Sequence, residues 1–499
     1  MNREDRRLSR RAVMTKLARG AAMLTGSALI GSEAEAAVAS ANRAQGGLPK
    51  DFVWGTATAS YQVEGSPLRD GGGASIWDTF SKKPGAIKDG NTGDIACDHV
   101  HRYQEDVDLM KRLGTNAYRF SFSWSRILPE GAGRINQAGL DFYDRLIDAL
   151  LTAGVAPWAT IFHWDYPEAL YQKGGWRHPD APNRFADFTK ILADRYSDRV
   201  SHWMTFNEPQ VFVSLGHQFG AHAPGERLPL GEMSKLAHNI LLSHGKAVQV
   251  LRSASKKPLQ IGIAAAPSVT VPASDSPADV ALAKKMMLSV SDFSFFGPPG
   301  PNFFNNTWWL DPIFLGNYPE DGLKLFGKDA PVFTDADMKT IRQPLDFLGL
   351  NIYFGPIVKS GENGRPEKLP TPAGVPHTTT GWEIVPSAIY WGTKVLGDRY
   401  KKPIYITENG MANTDWVAVD GKVHDPQRID FMTRYLGEIK RARAEGVDIR
   451  GYFAWSLMDN FEWAEGFNQR FGLVFVDFAT QKRTPKDSYF WYRDYIKKG

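Results

Sequence analysis

Two glutamates stand directly after apolar runs that are typical of buried strands. Glu208 lies in VSHWMTFNEPQ and Glu408 in PIYITENG, far apart along the chain. Glutamate is rarely buried and proline interrupts a strand, so the placement of Glu208 and Pro209 directly after a buried run needs an explanation. A lone glutamate at such a place is usually a helix N-terminal residue or a surface group. Two that face each other across an opening are suited to cleaving a glycosidic bond, since one protonates the leaving oxygen while the other attacks or activates water.

Polar and aromatic side chains also follow other apolar runs at the points where the runs end. They are Arg119 and Ser121, His163 with Trp164 and Asp165, Asn207, Asn351 and Tyr353, Asn409, and Trp455 followed by Glu462 and Trp463. Asn207 has the chemistry to bond a sugar hydroxyl. Arg119 or Tyr353 would hold Glu408 ionised by charge and hydrogen bonding. This reasoning predicts Glu208 as the proton carrier and Glu408 as the anion.

Taken one at a time, several of these residues have simpler explanations. His163 alone is more commonly a satisfied buried histidine than a ligand, and Gln62 in YQVEG is a turn amide when judged locally. Most of the 15 tryptophans are expected in the core. Trp455 and Trp463 flank the acidic segment SLMDNFEWAEG, which is more typical of a lined pocket.

Eight short apolar runs alternate with longer, largely amphipathic segments along the chain. The runs begin at Phe52, Asn116, Val155, His202, Gln260, Asp346, Pro403 and Gly451, and amphipathic segments begin at Tyr103, Leu140 and Arg428. This alternation predicts an α/β protein with a single (β/α)8 TIM barrel, in which functional side chains collect at the carboxyl ends of the strands. A doubly wound open sheet is the alternative. It usually carries a glycine-rich phosphate loop, and neither GxGxxG nor GxxxxGK[ST] follows any of these runs. The Gly- and Pro-rich stretch that starts at Ser360 is predicted to be a long surface loop.

Composition excludes several classes of protein. The chain of 499 residues is 42% hydrophobic and 23% charged, as in globular proteins, and 59 basic against 55 acidic residues give no electrostatic case for nucleic acid. The single cysteine, Cys97, excludes an internal disulfide and a cysteine-cluster metal site, and we expect it in the core. The histidines of DHVH, and His217 with His222, belong to no HExxH or three-ligand pattern, so no metal site is predicted.

The first 41 residues have the zones of an export signal. Basic residues come first, a mildly apolar stretch spans residues 17–30, and small residues with AxA-like sites follow. Arg10 and Arg11 resemble the twin-arginine signal. We expect residues 1–41 to be an export and processing segment and 42–499 to form the barrel, delivered to the periplasm without a membrane anchor. A basic amphipathic helix lying on a surface is the alternative.

A series of longer motifs in one order resembles family 1 of the glycoside hydrolases, of the β-glucosidase type. The motifs are FVWGTATASYQVEG, YRFSFSWSRILPEG, HWDYPEAL, TFNEP, FLGLNIY, ITENG and GYFAWSLMDNFEWAEGF. The resemblance runs from about residue 48 to residue 496. It implies a (β/α)8 barrel, a retaining double displacement, no metal or organic cofactor, and a small-molecule β-glycoside or oligosaccharide as substrate.

The resemblance also implies a role for each matching position. Glu208 of TFNEP would be the general acid/base and Glu408 of ITENG the nucleophile, as the strand-end reasoning predicts. The sugar-binding positions would be Gln62, His163, Asn207, Glu462 and Trp463, with Trp455 as a platform beneath the sugar. The nucleophile would be supported by Arg119, Asn351 and Tyr353. Tyr353 would also be one of the substrate-binding positions.

Differences within the family narrow the expected chemistry. Relatives that act on activated thioglucosides carry glutamine at the position of Glu208, so the glutamate here predicts ordinary O-glycosides. Relatives that cleave phosphorylated sugars replace the acidic residue at Glu462, so neutral sugars are expected. Ile352 takes the place of a frequent tyrosine, which we interpret as a tolerated packing change.

Two further functions are compatible with the same residues. A transglycosidase would use the same covalent intermediate and pass the sugar to an acceptor other than water. A catalytically silent sugar-binding barrel would keep Trp455, Glu462 and Gln62 but should lack one carboxylate of the pair. The sequence leaves open the preference among glucose, galactose and fucose, and the oligomeric state.

Overall fold

Eight parallel strands form a closed barrel. The structure, a computed structural model, describes residues 48–255, 257–292, 300–361 and 365–498. The barrel strands are β1 Val53–Ala57, β2 Ala117–Ser121, β3 Ala156–Phe162, β4 His202–Asn207, β5 Gln260–Ala265, β6 Leu348–Asn351, β7 Ile404–Asn409 and β8 Ile449–Trp455. Each strand pairs with its neighbours in chain order, and β8 closes the ring on β1 with Val53 opposite Gly451. The predicted fold class is confirmed, and each predicted run contains most of one barrel strand.

A helix precedes the next strand in each repeat, and a last helix follows β8. These helices are α1 His99–Leu113, α2 Gln137–Thr152, α3 Ala181–Tyr196, α4 Leu230–Ala254, α5 Asp335–Ile341, α6 Ser387–Tyr400, α7 Pro426–Ala444 and α8 Asp487–Lys498. Further helices are Ser60–Val63, Ile76–Phe80, Trp124–Ile127, Glu168–Tyr171, Pro209–Val213, Pro277–Leu288, Thr307–Phe314 and Glu320–Phe326. The helix α2 buries Leu146, Ile147 and Leu150 on one face, as its apolar spacing predicts.

In the part of the chain that the structure describes, two small sheets lie outside the barrel. Val271–Pro272, Ile357–Ser360 and Pro366–Lys368 form one, and Val474–Asp477 pairs with Lys482–Pro485 in the other. The first corrects the prediction of a long surface loop from Ser360, because within that stretch Pro366–Lys368 forms a strand that pairs antiparallel with Ile357–Ser360. Proline and lysine are tolerated there because the strand is at a sheet edge.

Aromatic rings fill the amino-terminal half of the barrel interior. Trp158 stacks on His202 with ring centroids 4.0 Å apart and also contacts Tyr405 and Phe453. Gly55 makes room for this layer, since a Cβ at that position would lie 2.2 Å from the ring of Phe453. The apolar layer closes one end of the barrel and leaves the carboxyl ends of the strands for polar side chains.

Two further features concern the described residues only. Cys97 is buried in the core, as predicted, and its thiol lies 3.0 Å from the carbonyl of Asp459. Among these residues no helix has the length and apolar character needed to cross a membrane. The predicted export segment, residues 1–41, lies outside them.

Candidate active site

The residues predicted at the strand ends meet around one cavity of about 500 Å³. Its wall includes His163, Asn207, Glu208, Asn351, Tyr353, Glu408, Trp455, Glu462 and Trp463. Gln62 and Arg119 do not line the cavity. Both are buried behind its wall and bond to Glu462 and Glu408, respectively. The residues predicted to act on the sugar, bind it or support the nucleophile therefore belong to one site, with Gln62 and Arg119 behind its wall. Ser121, Asp165 and Asn409, also predicted at strand ends, do not line the cavity.

Glu208 stands at a sharp turn between β4 and the short helix Pro209–Val213. Its backbone is left-handed, with φ 49°, which is uncommon for a residue with a side chain. Pro209 begins the helix, where the missing N–H of proline costs nothing. The N–H of Glu208 is bonded instead to the carbonyl of Ala264 on β5, at 2.7 Å. The turn thus places a buried carboxyl group on the cavity wall at a conformational cost, which is common at functional sites.

Glu408 near the end of β7 is held by a cation and a phenol. Arg119 Nη1 donates to Oε1 at 2.5 Å, and the Tyr353 hydroxyl donates to Oε2 at 2.7 Å. Arg119 is 1% exposed and comes from β2, on the other side of the barrel. Both carboxylate oxygens of Glu408 are therefore bonded to donors that favour the charged form.

An amide pair connects the surroundings of the two glutamates. Arg119 Nη2 donates to Asn207 Oδ1 at 2.6 Å, and Asn351 Nδ2 lies 2.9 Å from the same oxygen. Asn351 Nδ2 also lies 2.7 Å from Glu208 Oε1. The resemblance assigns Asn351 to the support of the nucleophile, whereas this bond goes from its amide to Glu208. Asn351 thus contributes to both halves of the site.

The two glutamates differ in electrostatic environment. Burial, followed by the charge of Glu408, raises the pKa of Glu208 to about 8. Burial also raises the pKa of Glu408, but the charge and hydrogen bond of Arg119 and the hydrogen bond of Tyr353 oppose that rise. Glu208 receives a bond from a neutral amide and Glu408 receives one from a guanidinium. Glu208 therefore keeps its proton to higher pH than Glu408.

A third carboxyl group, that of Glu462, also lines the cavity. Gln62 Nε2 lies 3.2 Å from its Oε2 and 2.9 Å from the carbonyl of Phe461. Burial, followed by the charge of Glu408, raises the pKa of Glu462 to about 8. With this raised pKa, Glu462 carries less than a full negative charge at neutral pH. Its charge is therefore a weaker argument against phosphorylated sugars than the sequence alone indicates.

Aromatic rings surround the polar groups. The ring of His163 lies 6.0 Å from Trp455 and 5.8 Å from Trp463, close to parallel with both. Trp164 lies 4.5 Å from Trp463, and its Nε1 donates to the carbonyl of Asn207 at 3.0 Å. These rings give the cavity flat apolar walls beside its hydrogen-bonding groups, which suits the two kinds of surface that a sugar ring presents.

Sequence reasoning missed part of the cavity wall. Phe354 and Trp382 stack at 5.2 Å and line the cavity with Gln469. Trp382 comes directly after the stretch that was predicted to be a surface loop. A lone tryptophan after a run of threonine and glycine was the available signal.

No group of three or more metal-binding side chains is found among the residues that the structure describes. His99 bonds Asp106 at 2.8 Å and His217 bonds Glu226 at 2.7 Å. These histidines therefore have structural partners within the fold.

The family model described as glycosyl hydrolase family 1 matches residues 44–499. The chain belongs to glycosyl hydrolase family 1. Among relatives of this family 1 chain, the β-glucosidase A of Thermotoga maritima is 46% identical over 451 residues, covering 90% of this chain and 98% of that protein. A 1,4-β-D-glucan glucohydrolase of Thermotoga neapolitana matches with the same identity and coverage.

Solved structures agree with this placement. The family 1 β-glucosidase of Thermotoga maritima in complex with glucoimidazole superposes with a TM-score of 0.82 and is 46% identical, covering 90% of this chain and 98% of that one. The same enzyme with isofagomine lactam gives a TM-score of 0.81 at the same identity and coverage. The family 1 chain is therefore a glycoside hydrolase on the expected barrel.

Proposed function

We propose that this family 1 chain is a retaining β-glucosidase that hydrolyses terminal, non-reducing β-linked glucose from neutral O-glycosides. The observation that carries the proposal is the pair of buried glutamates on one cavity, one bonded to a guanidinium and the other to a neutral amide. The relatives named β-glucosidase, at 44 to 46% identity over most of the chain, support glucose as the sugar.

In the first step Glu408 acts as the nucleophile. One of its carboxylate oxygens forms a bond to the anomeric carbon while the bond from that carbon to the leaving oxygen breaks. Glu208 gives its proton to the leaving oxygen, so the aglycone departs as a neutral alcohol. After this step the sugar is bound to Glu408 as a glycosyl ester, and Glu208 is ionised.

In the second step Glu208 acts as the base. It takes a proton from water, the water oxygen attacks the anomeric carbon, and the ester bond to Glu408 breaks. Two inversions at one carbon leave its configuration unchanged. The raised pKa of Glu208 suits this double use, since the group must hold a proton before the first step and regain one during the second.

The remaining residues bind and orient the sugar in this proposal. Arg119 and Tyr353 keep Glu408 ionised before attack, through the contacts already described. His163, Asn207 and Glu462 present hydrogen-bonding groups on the cavity wall, with Gln62 bonded to Glu462 from behind. Trp455 and Trp463 provide the apolar faces.

The charges around the cavity support neutral substrates. Arg119 is engaged by Glu408 and by Asn207. Lys88, on the outer part of the wall, lies 3.6 Å from Glu465. Both cations thus have carboxylate partners, which leaves them less available to bind a phosphate group.

A panel of nitrophenyl glycosides tests the assignment. We expect the wild-type chain to cleave the β-glucoside and Glu408→Ala to lose at least a thousandfold in kcat, because a nucleophile acts as part of one unit with the acid. The matched control is Glu320→Ala, which removes an exposed glutamate at the start of a surface helix and should leave turnover unchanged. Wild-type turnover by Glu408→Ala would refute the proposal.

We also propose that the chain is exported to the periplasm through a twin-arginine-like signal. The order of basic, apolar and small-residue zones supports this, as does the family match, which begins at residue 44. Replacing Arg10 and Arg11 together by lysine should keep the enzyme in the cytoplasmic fraction, whereas replacing Arg6 and Arg7 in the same way should not. Equal periplasmic activity from both double variants would contradict the proposal.

A further inference from the structure

The strand that carries the nucleophile is irregular just before Glu408. Ile406 on β7 faces Leu350 on β6, and the next pair is Glu408 with Asn351, so two steps along β7 correspond to one step along β6. The pairing of β7 with β8 shifts in the same stretch, between Ile406 and Asn409. A bulge of this kind disrupts the regular ladder and re-aims side chains, and it is frequent beside active sites. The contacts beside the bulge therefore determine how the chain around Glu408 is held.

The side chain of Asn409 provides two such contacts. Its Nδ2 donates to the carbonyl of Ile352 at 2.7 Å, and the Tyr452 hydroxyl on β8 donates to its Oδ1 at 2.9 Å. A backbone carbonyl only accepts hydrogen bonds, so the amide nitrogen must face Ile352 and the amide oxygen must face Tyr452. All three residues are at most 1% exposed, so these groups depend on each other for their hydrogen bonds.

The residue that Asn409 holds, Ile352, lies between two residues of the catalytic site. Its neighbours Asn351 and Tyr353 each bond one of the two catalytic glutamates. The N–H of Ile352 donates to the backbone carbonyl of Glu408 at 3.1 Å, and its own carbonyl accepts from Asn409. Both backbone polar groups of Ile352 are thus bonded to consecutive residues of β7. The segment that carries Tyr353 is thereby fixed relative to the backbone of the nucleophile.

We propose that Asn409 is a positioning residue for the nucleophile, which holds Ile352 beside β7 so that the Tyr353 hydroxyl meets the carboxylate of Glu408. This inference rests on the proposed function for the identity of Glu408 as the nucleophile. The Tyr435 hydroxyl also bonds the carbonyl of Tyr353, at 2.8 Å, but it comes from α7 and does not connect the tyrosine to β7. Without the Asn409 amide the Ile352 peptide is free to shift, and a displacement of about 1 Å at a catalytic contact can cost about a hundredfold in rate.

A double-mutant cycle on kcat/KM for a nitrophenyl β-glucoside tests this role in the full chain. We expect Asn409→Ala to lower kcat/KM about tenfold to a hundredfold, because the Tyr353 hydroxyl no longer meets Glu408 correctly. In a chain that already carries Tyr353→Phe, the same change should cost about threefold or less, since the hydroxyl that Asn409 positions is absent. If Asn409 acted only on the stability of the fold, the two losses would multiply.

Asn116, at the amino end of the barrel, provides the matched control. Its Nδ2 donates to the carbonyl of Phe52 at 3.1 Å, and its Oδ1 accepts from the N–H of Trp54 at 2.9 Å. Like Asn409, it connects neighbouring strands through its amide, but it lies at the opposite end of the strands from the cavity. Asn116→Ala should lower the thermal midpoint and change kcat/KM by no more than about twofold, with or without Tyr353→Phe.

Two results would overturn the proposal: losses from Asn409→Ala and Tyr353→Phe that multiply, or an Asn409→Ala enzyme with wild-type kcat/KM. Either result would leave the proposed hydrolysis standing, because failure of that proposal would appear as a wild type that does not cleave the glucoside or as retained turnover by Glu408→Ala. If circular dichroism shows that Asn409→Ala does not fold, Asn409→Ser takes its place in the cycle. Its shorter side chain keeps a hydroxyl in the buried space, and the same two results would overturn the proposal.

Discussion

Glu208 and Glu408 are both buried glutamates on one cavity, and their hydrogen-bond partners make them chemically different. Asn351 donates to Glu208, whereas Arg119 and Tyr353 donate to Glu408. A cation within bonding distance favours the ionised form, and burial without one favours the protonated form. The division of roles between acid and nucleophile therefore depends on the neighbours, since the two residues are of the same type.

The pH dependence of the reaction follows from the raised pKa of Glu208. The first step needs its protonated form, so kcat/KM for a substrate with a poor leaving group should fall as pH rises through about 8. Glu462 also has a pKa of about 8, so the origin of the fall must be separated. A dinitrophenyl glucoside needs no proton donor, and Glu208→Gln removes the acid. If the fall in kcat/KM at high pH persists unchanged in both experiments, the group that titrates is Glu462 and this prediction is wrong.

Tyr353→Phe removes one bond to the nucleophile and little else. A hydrogen bond to a charged group contributes about 1.5–3 kcal/mol, so we expect kcat/KM to fall about 10- to 150-fold. Tyr353 is only partly buried and its backbone contacts remain, so the urea midpoint should change little. The tyrosine Tyr171, whose hydroxyl bonds Glu226 away from the nucleophile, provides the control as Tyr171→Phe. If the free energy of unfolding falls by as much as the free energy that corresponds to the loss in kcat/KM, Tyr353 acts mainly on folding.

At the scale of elements, a buried ion cluster joins the loops that follow β7 and β8. Lys486 Nζ lies 2.6 Å from both Asp415 and Asp459, and Arg428 and Arg470 complete the pairing. Asp415 is in the loop after β7, and Asp459 is in the loop after β8 that also carries Glu462 and Trp463. The cluster thus ties the wall of the sugar site to the start of α8.

Lys486→Met should therefore destabilise the protein strongly. Removing one partner from a buried ion pair typically costs about 3–5 kcal/mol, and here Asp415 and Asp459 would each stay buried with one cation, Arg428 and Arg470 respectively, instead of two. Lys324→Met is the matched control, since its ammonium lies 4.0 Å from the exposed Glu320 and should contribute about 0–1 kcal/mol. Urea unfolding followed by tryptophan fluorescence measures both, and similar midpoints for the two variants would contradict the prediction.

The elements differ in how far the sequence predicts them. Each barrel strand coincides with an apolar run, and most of these runs end in polar residues, so all eight were found. Helix starts were predicted late, as for α2 and α7, because their first turns are polar and carry no apolar period. The strand Pro366–Lys368 was missed because an edge strand tolerates proline and charge.

The candidate site was predicted by residue type and place, and its finer contacts were not. The sequence indicates that Asn351 and Gln62 belong to the site. It does not show that Asn351 donates to Glu208, or that Gln62 lies behind Glu462 rather than on the cavity wall. Such contacts depend on side-chain directions across strands that are distant in sequence. Trp382 escaped prediction for the same reason, because only the folded chain brings its loop over the cavity.

At the scale of the whole molecule, the barrel separates an apolar end from a reactive one. The aromatic layer around Trp158 fills one half of the interior, and the polar network centred on Arg119 occupies the strand ends. Closure of β8 on β1 brings Trp455 and the segment with Glu462 beside residues from β2 to β7. One closed sheet thus assembles a site from residues spread over nearly all of the family match.

The central claim is that two carboxyl groups act in turn on one anomeric carbon with a covalent intermediate between the steps. Proton NMR of the glucose first formed from an aryl β-glucoside tests it most directly, before mutarotation mixes the anomers. The account predicts that β-glucose appears first and α-glucose only later. If α-glucose appears first, a single displacement by water has taken place, and Glu408 cannot be the nucleophile.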